Sequence, residues 1–283
     1  MDTAAIMIED RFVTWDGLRL RYIEAGAGHP VLLLHGASLG SSADVFLGTI
    51  GGFAGAGLRA IAFDQPGFGL SDNPTDFSVA RRRDSILGLM DALGIERAAL
   101  VAHSQAGNMA FALAEKHPGR ISHVVALGTG SLLPPLPGAA PKKATGPAEG
   151  RDGTAAEPMI EDTRKLLEAT LFHTELITEE ALVLRHTRST GKNFEAFVAR
   201  GALPAFGKGK AGGAPVWDRL AESPVPVRLI YGREDRADAA ERAALLKRMH
   251  PGIDLHLIDG CKHLVPWDAA EAYVRLSVAF IRG

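Results

Sequence analysis

The sequence predicts an α/β protein built on a mostly parallel eight-stranded sheet, with helices on both faces and an inserted helical cap. Three observations predict it. Short apolar, β-rich runs alternate with longer helical patterns through most of the 283 residues. Most of these runs are continuously apolar instead of alternating, the mark of strands buried on both faces. The alternation stops for one stretch, 131–215, and the sheet pattern resumes at Pro224.

Residues 12–15 and 18–24 flank Asp16-Gly17, a dipeptide suited to a tight turn with positive φ, so the chain is expected to open on an antiparallel hairpin. Buried strands are expected at 31–34, 59–63, 98–102, 123–127, 227–231 and 255–258. Helices fill the gaps. Residues 84–93 place Ile86, Leu87, Met90 and Leu93 on one face, and the neighbouring Arg81, Arg82 and Arg83 are expected to face water. Residues 104–117 read as a buried helix ended by Pro118-Gly119, and two more helices lie near 239–249 and 269–281.

The interruption has its own character. In 134–158, 16 of 25 residues are Pro, Gly or Ala, which favours an irregular loop. Helical patterns follow at 160–172, 178–188 and 194–202, and 208–213 closes the segment with a flexible stretch. The expected organisation is one core made of 1–130 and 216–283, with 131–215 as a cap folded over one edge of the sheet. Apolar lining for a pocket is expected from Phe172, Leu176, Phe194, Phe197 and Trp217.

Composition narrows the partners. With 46% apolar and 23% charged residues the chain is too apolar for disorder. Its 31 basic and 33 acidic residues give no electrostatic reason to expect nucleic acid or a membrane surface, and no apolar run approaches the ~18–20 residues of a membrane span. Cys261 is alone, so neither an internal disulfide nor a cysteine metal cluster is expected. Residues 1–11 carry Asp2, Glu9 and Asp10 and lack the features of a secretory signal, which makes the cytoplasm the expected location. The expected partner is a small-molecule substrate, with no metal or cofactor, and a homodimer as the candidate assembly.

Chemistry concentrates at three strand ends. Leu100-Val101-Ala102-His103-Ser104-Gln105-Ala106-Gly107 puts a serine at an abrupt strand-to-helix junction, with small residues two positions away on each side. Such a junction strains the serine backbone and exposes its hydroxyl, although Ser104 could instead simply cap the helix. A serine hydroxyl needs a base, and the base needs an acid to orient it. Asp235 follows the strand ending at Tyr231-Gly232, and His263 follows the strand ending at Ile258. Both therefore emerge at the same C-terminal sheet edge as Ser104, where open parallel sheets bind ligands. Glu234 and Asp238 are the rival acids. An oxyanion would be met by the backbone amides of Gln105 and Ala37, while His35 is expected to bridge loops.

With these pieces in view the chain resembles the α/β-hydrolase superfamily. The resemblance rests on His35-Gly36, on Phe63-Asp64-Gln65-Pro66-Gly67-Phe68-Gly69-Leu70-Ser71, on the serine junction, on Gly232-Arg233-Glu234-Asp235 and on Gly260-Cys261-Lys262-His263. It implies Ser104 as nucleophile, Asp235 as acid and His263 as base, and serine at that position argues against alkyl-enzyme chemistry. Within the superfamily, residues 176–185 resemble the cap of meta-cleavage-product hydrolases, which split a carbon–carbon bond in 2-hydroxy-6-oxo-dienoates. That likeness implies that Arg185 holds the dienoate end, although a salt-bridged cap arginine fits the residue equally well. Ser38, His103, Phe172 and Leu264 are the other residues expected at the substrate, although His103 reads more readily as packing beside the serine than as a polar group near the oxyanion. His103 stands for the family's usual asparagine, Leu264 for its tryptophan, and Ala37-Ser38-Leu39-Gly40 for a glycine-rich run.

The leading functional expectation is a cofactor-independent serine hydrolase cleaving such a carbon–carbon bond. A carboxylesterase or lactonase is the alternative enzyme, and a small-molecule receptor with weak hydrolysis is the alternative of another class.

Overall fold

The computed structural model describes residues 8–138, 156–203, 214–236 and 238–283. The chain opens on β1 (Arg11–Trp15) and β2 (Leu18–Ala25), an antiparallel pair turned by Asp16 and Gly17 at φ 47° and 77°. β2 then pairs, again antiparallel, with β4 (Leu58–Phe63). From β4 onward the neighbours are parallel: β3 (His29–Leu34), β5 (Ala98–His103), β6 (Ile121–Leu127), β7 (Val227–Gly232) and β8 (Asp254–Ile258). The sheet order is β1-β2-β4-β3-β5-β6-β7-β8, eight strands as the sequence predicts.

Burial on both faces explains the continuous apolar runs. In β3, Val31 and Leu33 join one core with Ile50 and Phe53 of α1 (Ile50–Gly55) and Tyr273 of α10 (Ala270–Arg282). Leu32 and Leu34 point the other way, to Ile86 and Leu89 of α2 (Val79–Ala92) and Met109 of α3 (Gln105–Lys116). Since each such side chain contributes about 1.5–3 kcal/mol on burial, a polar residue on either face would be costly. A third cluster joins Leu229, Tyr231 and Leu255 to Leu246 of α8 (Ala239–Met249). Trp217, on α7 (Val216–Arg219), packs into this cluster, so it belongs to the core and not to the expected pocket lining.

Two elements differ from expectation. α2 begins at Val79, one turn early, because the Ser78 hydroxyl accepts the Arg81 amide at 3.1 Å and caps it. That extra turn carries Arg82 inward, where it is 2% exposed, so the arginine triplet does not face water as a unit. Arg81 instead lies over the Trp15 ring and pairs with Asp16, and Arg83 pairs with Asp84. α1 is not legible because Gly48, Gly51, Gly52 and Gly55 remove helix propensity, yet Ile50 and Phe53 are fully buried.

Between β6 and β7 lie α4 (Ile160–Thr170), α5 (Glu179–Thr187) and α6 (Lys192–Gly201). Cationic side chains tie them to the loops at the C-terminal ends of β3 and β4. Arg188 donates to Asp44 at 2.9 Å, the Lys192 ammonium to the carbonyls of Gly69 and Ser71 at 3.1 and 2.5 Å, and Arg200 to the Gly67 carbonyl at 2.8 Å. Most of the Pro-rich 134–158 and all of 208–213 lie outside the described residues. Among the described residues no helix is long and apolar enough to cross a membrane.

Gly88 tests the α2 packing. A Cβ at Gly88 would run into the indole of Trp15. Alanine for glycine inside a helix normally stabilises by roughly 0.5–1 kcal/mol. Here Gly88→Ala is expected to destabilise by about 1–3 kcal/mol in urea denaturation, the overpacking range. A variant as stable as the parent would contradict the placement of Trp15.

Candidate active site

β5 ends at His103 and α3 begins at Gln105, leaving one residue for the reversal. Ser104 supplies it with φ 57° and ψ −126°, a conformation that costs a non-glycine residue roughly 1–3 kcal/mol. Local bonds hold the strain in place. The Ser104 amide donates to the Leu127 carbonyl at 2.7 Å, and the Ser104 carbonyl accepts from the Thr129 hydroxyl at 2.8 Å. The small flanking residues Ala102 and Ala106 are fully buried. The Ser104 side chain makes no capping bond to α3. Its Oγ lies 3.0 Å from His263 Nε2 instead, so the helix-cap reading gives way.

His263 is held from behind by Asp235, whose Oδ2 is 2.9 Å from His263 Nδ1. A carboxylate there fixes the Nδ1–H tautomer and leaves Nε2 as an acceptor for the serine proton. Of the rival acids, Glu234 accepts the Cys261 amide at 3.0 Å and ties the two loops together. Asp235 Oδ1 is buried without a hydrogen-bond partner, with Arg236 Nε 3.6 Å away. Arg236 itself adopts φ 44° and brings Nη2 to 3.2 Å from His263 Nε2. Nothing in sequence spacing separates Arg236 from an ordinary surface arginine.

Ser104 is met from the other side by the loop after β3. A Cβ on Gly36 would lie 3.0 Å from the Ser104 Cβ, so a larger residue would push against the serine while glycine lets the two loops meet without strain. The Ala37 amide follows directly. Gln105 is the first residue of α3, so its amide has no acceptor within the helix. His35 bridges loops as expected: Nδ1 donates to the Gly36 carbonyl at 2.7 Å, and Nε2 accepts the Gln65 amide at 3.1 Å. Burial first, and then the nearby cations, hold His35 neutral with a pKa lowered to about 3. Two residues that sequence reasoning missed complete this side. Gln65 donates to the His35 carbonyl at 2.7 Å, and Arg82 donates to Gln65 Oε1 at 3.2 Å and to Gln105 Oε1 at 2.8 Å.

Arg185 is buried on α5, and its Nη2 donates to Ser38 Oγ at 2.8 Å, so these two expected residues do meet. Burial lowers its pKa to about 10. Its Nε is buried with no hydrogen-bond partner, and among the described residues no carboxylate pairs with it. Arg185 also lines a cavity of about 350 Å³ with Val45, Leu184, Arg188 and Trp267, a space that Ser104 and His263 do not line.

Three other expected substrate contacts need correction. His103 is 4% exposed, and its Nε2 donates to the His263 carbonyl at 2.8 Å, so it braces the histidine loop from behind. Burial keeps it neutral, with a pKa lowered to about 3. Leu264 is 5% exposed and packs in the core with Leu167 and Val265. Phe172 is 47% exposed, because α4 stops at Thr170 and the Asp268 carboxylate takes the Phe172 amide at 2.9 Å, which turns the ring outward. Among the described residues no group of three His, Cys, Asp or Glu side chains could hold a metal ion.

A serine, imidazole and carboxylate in line at the C-terminal edge of a mostly parallel sheet define a class of fold and site. The family model of the alpha/beta hydrolase fold matches residues 29–270, and the chain belongs to that family. It is 31% identical over 281 residues to a 2-hydroxy-6-oxononadienedioate/2-hydroxy-6-oxononatrienedioate hydrolase of Burkholderia vietnamiensis (strain G4 / LMG 22486), covering 94% of this chain and 91% of the relative. It is also 31% identical over 275 residues to a 2-hydroxy-6-oxo-6-phenylhexa-2,4-dienoate hydrolase of Comamonas testosteroni, covering 93% and 91%. Among solved structures, the 2-hydroxy-6-oxo-6-phenylhexa-2,4-dienoate hydrolase from Rhodococcus sp. strain RHA1 superposes with a TM-score of 0.77 at 23% identity, over 98% of this chain and 99% of that one, which speaks to the fold.

The two buried neutral histidines make stability depend on pH. Each has a folded pKa near 3 against 6.5 for a free histidine, so between those values the unfolded chain binds more protons. Their stabilisation is complete above about pH 6.5 and is lost as pH falls, at roughly 1.4 kcal/mol per pH unit for each histidine. His103→Gln is expected to flatten the slope of unfolding free energy between pH 6 and 5 by about one proton's worth. An unchanged slope in urea melts would show that His103 is not buried neutral.

Proposed function

We propose that this chain is a cofactor-independent serine hydrolase that cleaves the carbon–carbon bond of a 2-hydroxy-6-oxo-dienoate. The observation that carries the reading is the unbroken line from Asp235 through His263 to Ser104, at 2.9 and 3.0 Å. The names of the two relatives at 31% identity, both dienoate hydrolases, support the substrate class. Arg185 supports it on physical grounds. Its guanidinium has no carboxylate partner among the described residues, and its bond to Ser38 leaves it one residue from the Ala37 amide. A planar guanidinium suits an α-keto carboxylate, which it can grip with two parallel N–H donors.

In this reading His263 first assists ketonisation of the dienol to the 2,6-dioxo form. Ser104, or a water activated by His263, then adds to the 6-keto carbon while His263 Nε2 takes the proton. The amides of Ala37 and Gln105 hold the resulting oxyanion. The bond between C5 and C6 breaks, its electron pair spreads over the enolate ended by the 2-oxo group near Arg185, and His263 returns its proton to the carbon that leaves. With serine as attacking group, water then releases the acyl half by the same steps. We assign 131–215 as the lid over this site and 1–130 with 216–283 as the core, on the strength of the contacts from α5 and α6 to the β3 and β4 loops. One buried cysteine fits a cytoplasmic location, and a homodimer stays part of the reading.

Two variants test it. Ser104→Ala is expected to lower turnover of p-nitrophenyl esters and of dienoate by at least about 10³-fold with an unchanged melting temperature. Undiminished turnover would remove the nucleophile assignment. Arg185→Gln is expected to lower dienoate kcat/KM roughly 10- to 100-fold, the loss of charge-assisted hydrogen bonds, with ester turnover retained. Equal losses on both substrates would favour the esterase reading instead.

A further inference from the structure

Among the described residues Arg82 is the largest fully buried side chain that carries a charge, and no carboxylate among them pairs with it. Its hydrogen-bond and ring partners are all neutral: Oε1 of Gln65 and of Gln105, the Met109 sulfur at 3.9 Å, and the Phe68 ring at 5.1 Å, a ring that the second cation Arg200 also covers at 3.8 Å. Burying a cation without a counter-ion is costly, and a neutral side chain could hold two glutamine oxygens at less cost. An anion forming nearby would offset part of that cost.

The hydrogen bonds lead to where that anion would form. One arm is short: Arg82 grips the side chain of Gln105, whose backbone amide is one proposed oxyanion donor. The other arm runs from Arg82 to Gln65, from Gln65 to the backbone and ring of His35, and from His35 Nδ1 to the Gly36 carbonyl. The Gly36–Ala37 peptide is trans, as are all described peptide bonds. Its N–H therefore points away from the carbonyl that His35 holds, so fixing Gly36 O fixes the direction of the Ala37 N–H. Donor and acceptor roles are consistent at each step. His35 can both donate from Nδ1 and accept at Nε2 only as the neutral tautomer.

We propose that Arg82 is a positioning residue for the oxyanion hole. Its guanidinium aligns both amides through one buried network, and its uncompensated charge favours the negative tetrahedral state over the neutral carbonyl. The proposal rests on the serine-hydrolase reading above, whose triad it does not alter. Charge is what separates it from a purely structural part.

The experiment compares Arg82→Met and Arg82→Lys with the parent on a p-nitrophenyl ester, and measures inhibition by phenylboronic acid, which adds to a serine oxygen as a tetrahedral anion. A neutral amide of the same acyl chain serves as the ground-state ligand. Arg82→Met is expected to lower kcat about 10- to 100-fold, with boronate affinity falling by a similar factor and amide affinity unchanged. Arg82→Lys, which keeps the charge, is expected to recover most of both. If Arg82→Met does not fold, Gln105→Leu cuts the short arm and is expected to give the same paired loss of kcat and boronate affinity. Parent-like kcat and boronate affinity in the folded variant would overturn the proposal. So would a loss in which amide and boronate affinity fall together. A parent protein that neither turns over the ester nor binds boronate would overturn the hydrolase reading first, a distinguishable result.

Discussion

The hydrogen bond between Ser104 Oγ and His263 Nε2 joins groups 159 residues apart, and much of the surrounding structure serves to let it form. It needs a serine pushed out of its ordinary backbone range at the end of β5, and a histidine loop at the end of β8 that comes back across the sheet edge. Neither condition is local. The first depends on β5 being buried between β3 and β6, which leaves the junction nowhere to relax. The second depends on Asp235 at the end of β7, which fixes the ring, and on His103, which fixes the loop carbonyl.

A single sheet edge therefore gathers the whole apparatus. β3 and β4 supply the loop that faces Ser104 and the network under it, β5 supplies the serine, and β7 and β8 supply Asp235 and His263. The helices between β6 and β7 add Arg185 and Arg200 above the β3 and β4 loops. Among the described residues, three cations without a carboxylate partner gather at this edge. Arg82, Arg185 and Arg200 all lower the basicity of His35 through their charge, and none is paired with a carboxylate among the described residues. Such an excess suits a site that receives or generates negative charge.

Much of this was legible in the sequence, and particular residues show why. Continuous apolar runs located the strands from β3 to β8 because both faces of the sheet are buried, and Asp16-Gly17 located the opening hairpin. Ser104, Asp235 and His263 were legible because each follows a strand end, and strand ends in a parallel sheet share an edge. Arg82 was misread as facing water, although a signal existed: it lies four residues before Ile86 and seven before Leu89, in phase with the inward face of α2 once the helix is extended by a turn. Phe172 was misplaced because the helical period runs past Thr170, while a carboxylate from Asp268 ends the pattern by tertiary contact. Arg236 depends on a positive φ at a non-glycine residue, which no residue pattern announces.

The central claim is that the Ser104 hydroxyl is activated by His263 and by no other group. A fluorophosphonate probe, followed by peptide mass spectrometry, tests this most directly. One covalent adduct per chain is predicted, on Ser104, with labelling lost when His263 is replaced by alanine. An adduct on another residue, or equal labelling of Ser104 without the imidazole, would contradict it.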